Sequence, residues 1–124
     1  MTDHDHPAAV VQRQLDAYNA RDINALLATY AEHACQYAHP GQLVARGAAE
    51  IRPRLALRFE EPNLHARLLQ RVVMGNVVID HELVSRTFPE GTGTVEMVAI
   101  YEVVDGKIAS ASVQVRNQRL DQAG

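Results

Sequence analysis

The sequence predicts an α+β fold, with helices near the N-terminus packed against one face of a curved antiparallel sheet. Three observations predict it. Val95–Val104 and Lys107–Val115 are long runs rich in Val, Ile and Tyr on either side of Asp105-Gly106. Asp-Gly supplies the positive φ angles of a tight hairpin, and β-branched residues suit the pleated surface around it. Upstream of residue 60, apolar residues recur instead at helical spacing. The resulting order is helix, helix, short strands, helix, then four long strands in a meander, which is the arrangement of an α+β domain. A sheet that wraps its helices in this way must curve, and it leaves a pocket at its open end.

The elements follow in chain order. Pro7 opens a helix to about Ala20, proline being favoured in the first turn, with Val10, Val11, Leu15 and Tyr18 as its apolar stripe. Asp22 caps a second helix in which Ile23, Leu26, Leu27 and Tyr30 share a face. Cys35–His39 reads as a short strand stopped by Pro40-Gly41, with Leu43–Ala45 as its partner. A third helix carries Ala48, Ile51, Leu55 and Phe59 on one side; Pro53 within it predicts a kink or a late start. Leu64–Val73 and Val77–Arg86 are strands joined at Gly75-Asn76, and Phe88–Gly93 is a loop before the hairpin. Residues after Asn117 read as a polar tail, and residues 1–7 as a loose one. His4 and His6 in that first stretch are either metal-binding or simply part of a frayed terminus.

Composition narrows the function. A chain of 124 residues makes one domain and buries roughly two-thirds of its unfolded surface, so it needs no metal or disulfide staple. The formal charge of −3, without a basic block, argues against a nucleic-acid partner. Cys35 is the only cysteine, which fits a reducing cytoplasm. No signal peptide is evident, and no apolar run is long enough to span a membrane.

Three stretches carry a family resemblance. Leu15–Ala34, with its Leu15-Asp16-Ala17-Tyr18-Asn19-Ala20-Arg21-Asp22 start, is one; Arg46-Gly47 followed by Glu50-Ile51-Arg52 is another; Ala99-Ile100-Tyr101-Glu102-Val103-Val104-Asp105-Gly106-Lys107-Ile108 is the third. Together they resemble the nuclear transport factor 2-like superfamily over about residues 8–116, nearest its SnoaL-like, ketosteroid isomerase-like branch. The resemblance implies a cystatin-like cone (three helices in a curved sheet) whose interior holds a ligand. It also implies a homodimer through the convex sheet face. It does not select one activity, because the superfamily hosts many.

Matched onto the isomerase pattern, the position of the carboxylate base falls at His39, in Ala38-His39-Pro40-Gly41. The first-helix tyrosine falls near Gln14, and the protonated aspartic acid near Ala99. The base is thus changed and both oxyanion donors are missing; one such donor is typically worth on the order of 10² to 10³ in rate. His39 is either a general base, histidine being the side chain suited to proton transfer near neutrality, or a turn-capping residue beside Pro40. SnoaL-like cyclases use an aspartate in the acid/base role, and none is well placed here.

Strand alternation assigns the remaining candidates. His81 is expected on the pocket face with Ile79 and Leu83, either as a pocket group or as a satisfied core histidine. Asp80 and Glu82 are then expected on the convex face near Glu102, Gln114 and Arg116, in cross-strand ion pairs at the dimer interface, with Val78, Val84, Val98 and Ile100. That alternation also keeps Asp80, His81 and Glu82 from converging on a metal. Matched to the isomerase pattern, Met97, Ala99 and Tyr101, and Ala111, Val113 and Val115, are expected to face the pocket. Tyr18 and Tyr101 either grip a ligand or belong to the core, and Tyr37 is placed at the mouth. Epoxide hydrolase-like chemistry needs an Asp-Arg-Asp set, and Arg58, Arg67 and Arg71 lack an evident inward Asp.

Two functional readings follow. In one the protein is a cofactor-free enzyme of isomerase or cyclase type acting on an apolar, oxygenated small molecule. His39 and His81 would be its catalytic residues, and Tyr18, Tyr37, Met97 and Tyr101 would contact the substrate. In the other, the same cone binds a ligand or dimerises without turnover.

Overall fold

The computed structural model describes residues 5–121. His4 of the N-terminal histidine pair lies outside them. His6 caps helix α1 (Pro7–Asn19), its Nδ1 accepting the Ala8 N–H at 3.2 Å, with Pro7 at the start. Asp22 caps α2 (Ile23–Leu27) by accepting from the Ala25 N–H at 3.0 Å. This helix is shorter than its apolar spacing suggests. The Thr29 hydroxyl donates to the Leu26 carbonyl at 2.6 Å, and Tyr30, still buried, already begins strand β1 (Tyr30–Ala38). Strand β2 (Gln42–Arg46) returns to α3 (Gly47–Arg58), which includes Pro53 in its interior, so that of the kink or late start expected there the late start does not occur. Glu50 in its first turn accepts from the Arg46 N–H at 2.8 Å and supports that start.

Four long strands complete the sheet: β3 (His65–Met74), β4 (Val77–Phe88), β5 (Gly91–Val104) and β6 (Lys107–Leu120). The hairpin turn has Asp105 at φ 52° and Gly106 at φ 74°, the left-handed pair that Asp-Gly favours. Two details differ from expectation. Phe88 pairs with Gly91, so β4 and β5 meet at a tight turn over Pro89-Glu90 rather than a loop. The last strand continues to Leu120, Arg119 and Leu120 pairing with Thr94 and Gly93.

The sheet order is β2-β1-β6-β5-β4-β3. All neighbours are antiparallel except β1 and β6, which are parallel. Val10, Val11 and Ala17 of α1 and Ile51 and Leu55 of α3 pack against Val78, Ala99, Tyr101 and Ala111 of the sheet. A second cluster joins Leu15 to Leu64, Ala66, Val84 and Val95. Val78 and Val84 therefore face the helices, not the convex side where they were expected. No helix among the described residues is long and apolar enough to cross a membrane.

Candidate functional site

The helices do not fill the cone. A cavity of about 450 Å³ remains between α1, α3 and the concave face of β1, β5 and β6. Gln14, Leu26, Tyr30 and Tyr101, all buried, line its deep part. Met97, Ala111 and Val113 continue the sheet wall, as β-strand alternation predicts, and exposed His39, Arg54 and Arg116 stand at the opening. Five of the six expected site residues line this cavity: Tyr18, Tyr37, His39, Met97 and Tyr101.

Each is held by its element. Tyr18 stacks edge-on with Phe59 of the segment after α3, with ring centroids 5.5 Å apart. Burial raises the Tyr18 hydroxyl pKa, while the guanidinium groups of Arg58 and Arg86 oppose the rise. Burial also pushes Tyr30 up to about 12 and Tyr101 well above the usual phenol range. Both phenols therefore stay protonated. The Tyr30 hydroxyl accepts from Gln36 Nε2 at 3.4 Å. His39 follows the last residue of β1, where its N–H donates to the Val113 carbonyl at 2.9 Å and a cis peptide leads into Pro40.

His81 is a correction. It lies on the convex face, half-exposed, with Nε2 at 2.8 Å from Glu96 Oε2, and it does not line the cavity. His39 and His81 share no site. The face of β4 is reversed relative to expectation because Asp80, Glu82 and Val84 pair with Ala99, Met97 and Val95, and directly paired residues point the same way. Asp80 is fully buried and Glu82 is 2% exposed, so neither sits at a convex interface.

Asp80 instead meets Arg71, its partner across β3, in a two-pronged pair at 2.7 and 2.9 Å. The third arm of Arg71 donates to Gln12 of α1 at 2.9 Å. Arg71 thus has the inward carboxylate that the sequence did not reveal. Glu82, one alternation further along, is pushed up to about 7, first by burial and then by the Asp80 charge, with Arg71 pulling the other way. In the sheet Glu82 pairs with the lining residue Met97 and is two residues from the lining residue Val84.

Gln14 is the residue sequence reasoning passed over. It is 7% exposed, it lines the cavity, and its carbonyl oxygen has no hydrogen-bond partner. A buried polar atom left in this way costs roughly 1–3 kcal/mol. The one signal available in the sequence was its match to the isomerase tyrosine position on the first helix.

With this geometry in hand, the comparisons with known proteins fit the cone. The SnoaL-like domain family model matches residues 11–111. The chain belongs to the SnoaL-like family. None of the curated proteins compared matches it. Among solved structures, an uncharacterised cystatin-fold protein from Novosphingobium aromaticivorans is 24% identical, with TM-score 0.80, covering 86% of this chain and 96% of its own. An NTF2-like protein of unknown function from Mesorhizobium loti is 20% identical, with TM-score 0.76, over 94% and 97% of the two chains. A protein with a ketosteroid isomerase-like fold from Catenulispora acidiphila, solved with trimethylamine, is 18% identical, with TM-score 0.72, over 87% and 84%. At these identities the likeness shows the fold alone, the cone that this chain shares with those structures.

Proposed function

We propose that this SnoaL-like protein binds an apolar, oxygen-bearing small molecule in the cone and moves a proton on it. The observation that carries the reading is the Gln14 carbonyl, buried and unpartnered in the cavity wall. Such an atom is satisfied by a ligand hydroxyl or enol O–H. The Tyr101, Met97 and Val113 surfaces suit the apolar remainder of the molecule. His39 brings an imidazole to the same cavity, the group best suited to take up and return a proton near neutrality. In such a step His39 accepts a proton from carbon beside a carbonyl, the neutral Tyr101 phenol donates a hydrogen bond to the resulting enolate oxygen, and the imidazolium returns the proton to carbon, while Gln14 accepts from a hydroxyl elsewhere on the ligand. The same reading includes a second copy of the chain on the convex face, where Val72 and Val98 are 47% and 38% exposed; sedimentation as a dimer supports this, and a monomer at high concentration argues against it.

The test uses α-tetralone, an apolar bicyclic ketone, in deuterated buffer. The protein is expected to speed exchange of its α-hydrogens, followed by proton NMR, and His39→Ala to lose that exchange while still binding the ketone. Binding without exchange in the unmodified protein would leave the non-catalytic ligand-binding reading. Exchange unaffected by His39→Ala would remove His39 from the mechanism.

A further inference from the structure

The lining of the cavity is unexpectedly basic. Four arginines line it, and no aspartate or glutamate does so among the described residues. They come from three elements: Arg54 and Arg58 one turn apart on α3, Arg86 on β4 and Arg116 on β6. The chain as a whole carries a formal charge of −3, so this concentration runs against its average.

One carboxylate serves two of the four. Glu61 binds Arg86 through two hydrogen bonds at 2.7 and 2.9 Å and lies 3.6 Å from Arg58 Nε. Arg54 and Arg116 form no ion pair among the described residues; Arg116, across from Glu96 in the β5–β6 register, donates to two neutral acceptors, the Val115 carbonyl at 2.8 Å and the Gln114 side-chain oxygen at 3.2 Å. Like charges one helical turn apart oppose helix formation by a few tenths of a kcal/mol, so the spacing of Arg54 and Arg58 is not explained by stability. Charges of one sign around a cleft with apolar walls focus their field into it. That field reaches inside, since Arg58 and Arg86 both act on the Tyr18 hydroxyl.

We propose that the ligand of this cavity is amphipathic and anionic: a carboxylate held at the arginine-lined mouth, with an apolar body extending inward toward Gln14. Guanidinium groups match carboxylate oxygens in geometry and charge, and at the mouth they remain hydrated until the ligand arrives. The inference rests on the cavity being a ligand site, and it adds the charge and orientation of the occupant.

The test uses a neutral fluorescent reporter, N-phenyl-naphthylamine, displaced by either decanoate or decanol. The two competitors share a chain length and differ in the charge of the head group. With the full chain at low salt, decanoate is expected to displace the reporter at concentrations about tenfold lower than decanol. The double variant R54Q/R116Q, altered only at exposed side chains, is expected to bring that ratio close to one. Added salt should have the same effect as the variant, because exposed charges are screened. Equal potency of the two competitors in the unmodified protein would overturn the anionic assignment and leave the ligand site intact; a decanoate preference that survives R54Q/R116Q would overturn the placement of the carboxylate at Arg54 and Arg116. Failure of the reporter to bind at all would overturn the ligand-site reading and this inference with it.

Discussion

Two polar regions of the interior, both touching α1, are built on opposite terms. Under the N-terminal half of α1, Arg71 is matched by Asp80 on two sides and by Gln12 on the third. Two residues further along the same helix, Gln14 has no partner for its carbonyl among the described residues, and at the cavity mouth Arg54 and Arg116 form no ion pair among them. In a closed layer a charge survives only when paired, because desolvation is not repaid otherwise. In an open cavity a polar group can stay unpaired where a ligand will complete it. Glu82 stands between the two regions, buried like the first and adjoining the wall of the second.

The largest expected effect breaks the closed region. Asp80→Asn should remove about 3 kcal/mol or more, since it strands a largely buried guanidinium. Urea denaturation measures this. A loss below about 1 kcal/mol would mean that Arg71 is already solvated, as an exposed pair would be.

Glu82→Gln should act in the other direction and depend on pH. Burial raises the Glu82 pKa in the folded chain to about 7, from an ordinary carboxyl value of about 4.5. Folding therefore favours the protonated form. That stabilisation is complete below about pH 4.5 and is lost as pH rises through about 7. Replacing the carboxyl by an amide removes the loss. The variant should gain on the order of 3 kcal/mol relative to the unmodified protein between acid and about pH 8. A stability difference that does not change with pH would show that Glu82 titrates like an exposed acid.

Gln14→Leu sharpens the contrast from the open side. Removing a buried, unsatisfied amide should stabilise the protein by about 1 kcal/mol and weaken binding of 1-tetralol, whose hydroxyl can donate to that carbonyl. A variant that is destabilised would indicate that Gln14 is structural. The smallest effect is expected at His81→Ala. Its pair with Glu96 is on the half-exposed convex face, so neither the denaturation midpoint nor α-tetralone exchange should change measurably.

Much of the cone was legible. The Asp105-Gly106 hairpin, the capped helices and the inward set Met97, Ala99, Tyr101, Ala111 and Val113 all follow from local chemistry and alternation. The face of β4 was not legible. Ile79 and Leu83 flank His81 as Val78 and Val84 flank the two acids, so hydrophobicity alone favours neither face. The register that decides it depends on the Pro89-Glu90 turn, which reads as part of a longer loop. With that turn placed, Asp80 falls opposite Ala99 and turns inward. The basic mouth was half legible: helical spacing puts Arg54 and Arg58 on one side, but only the curvature of the sheet brings Arg86 and Arg116 to meet them.

The central claim is that the cavity around Gln14 receives a ligand. It is tested most directly by following the Gln14 side-chain amide by nitrogen–proton NMR while α-tetralone is added. The account predicts a saturable shift of that amide, accompanied by shifts of Tyr101 and Val113 in the same wall. Shifts confined to Val98, Leu83 and their convex neighbours, with Gln14 unmoved, would contradict it.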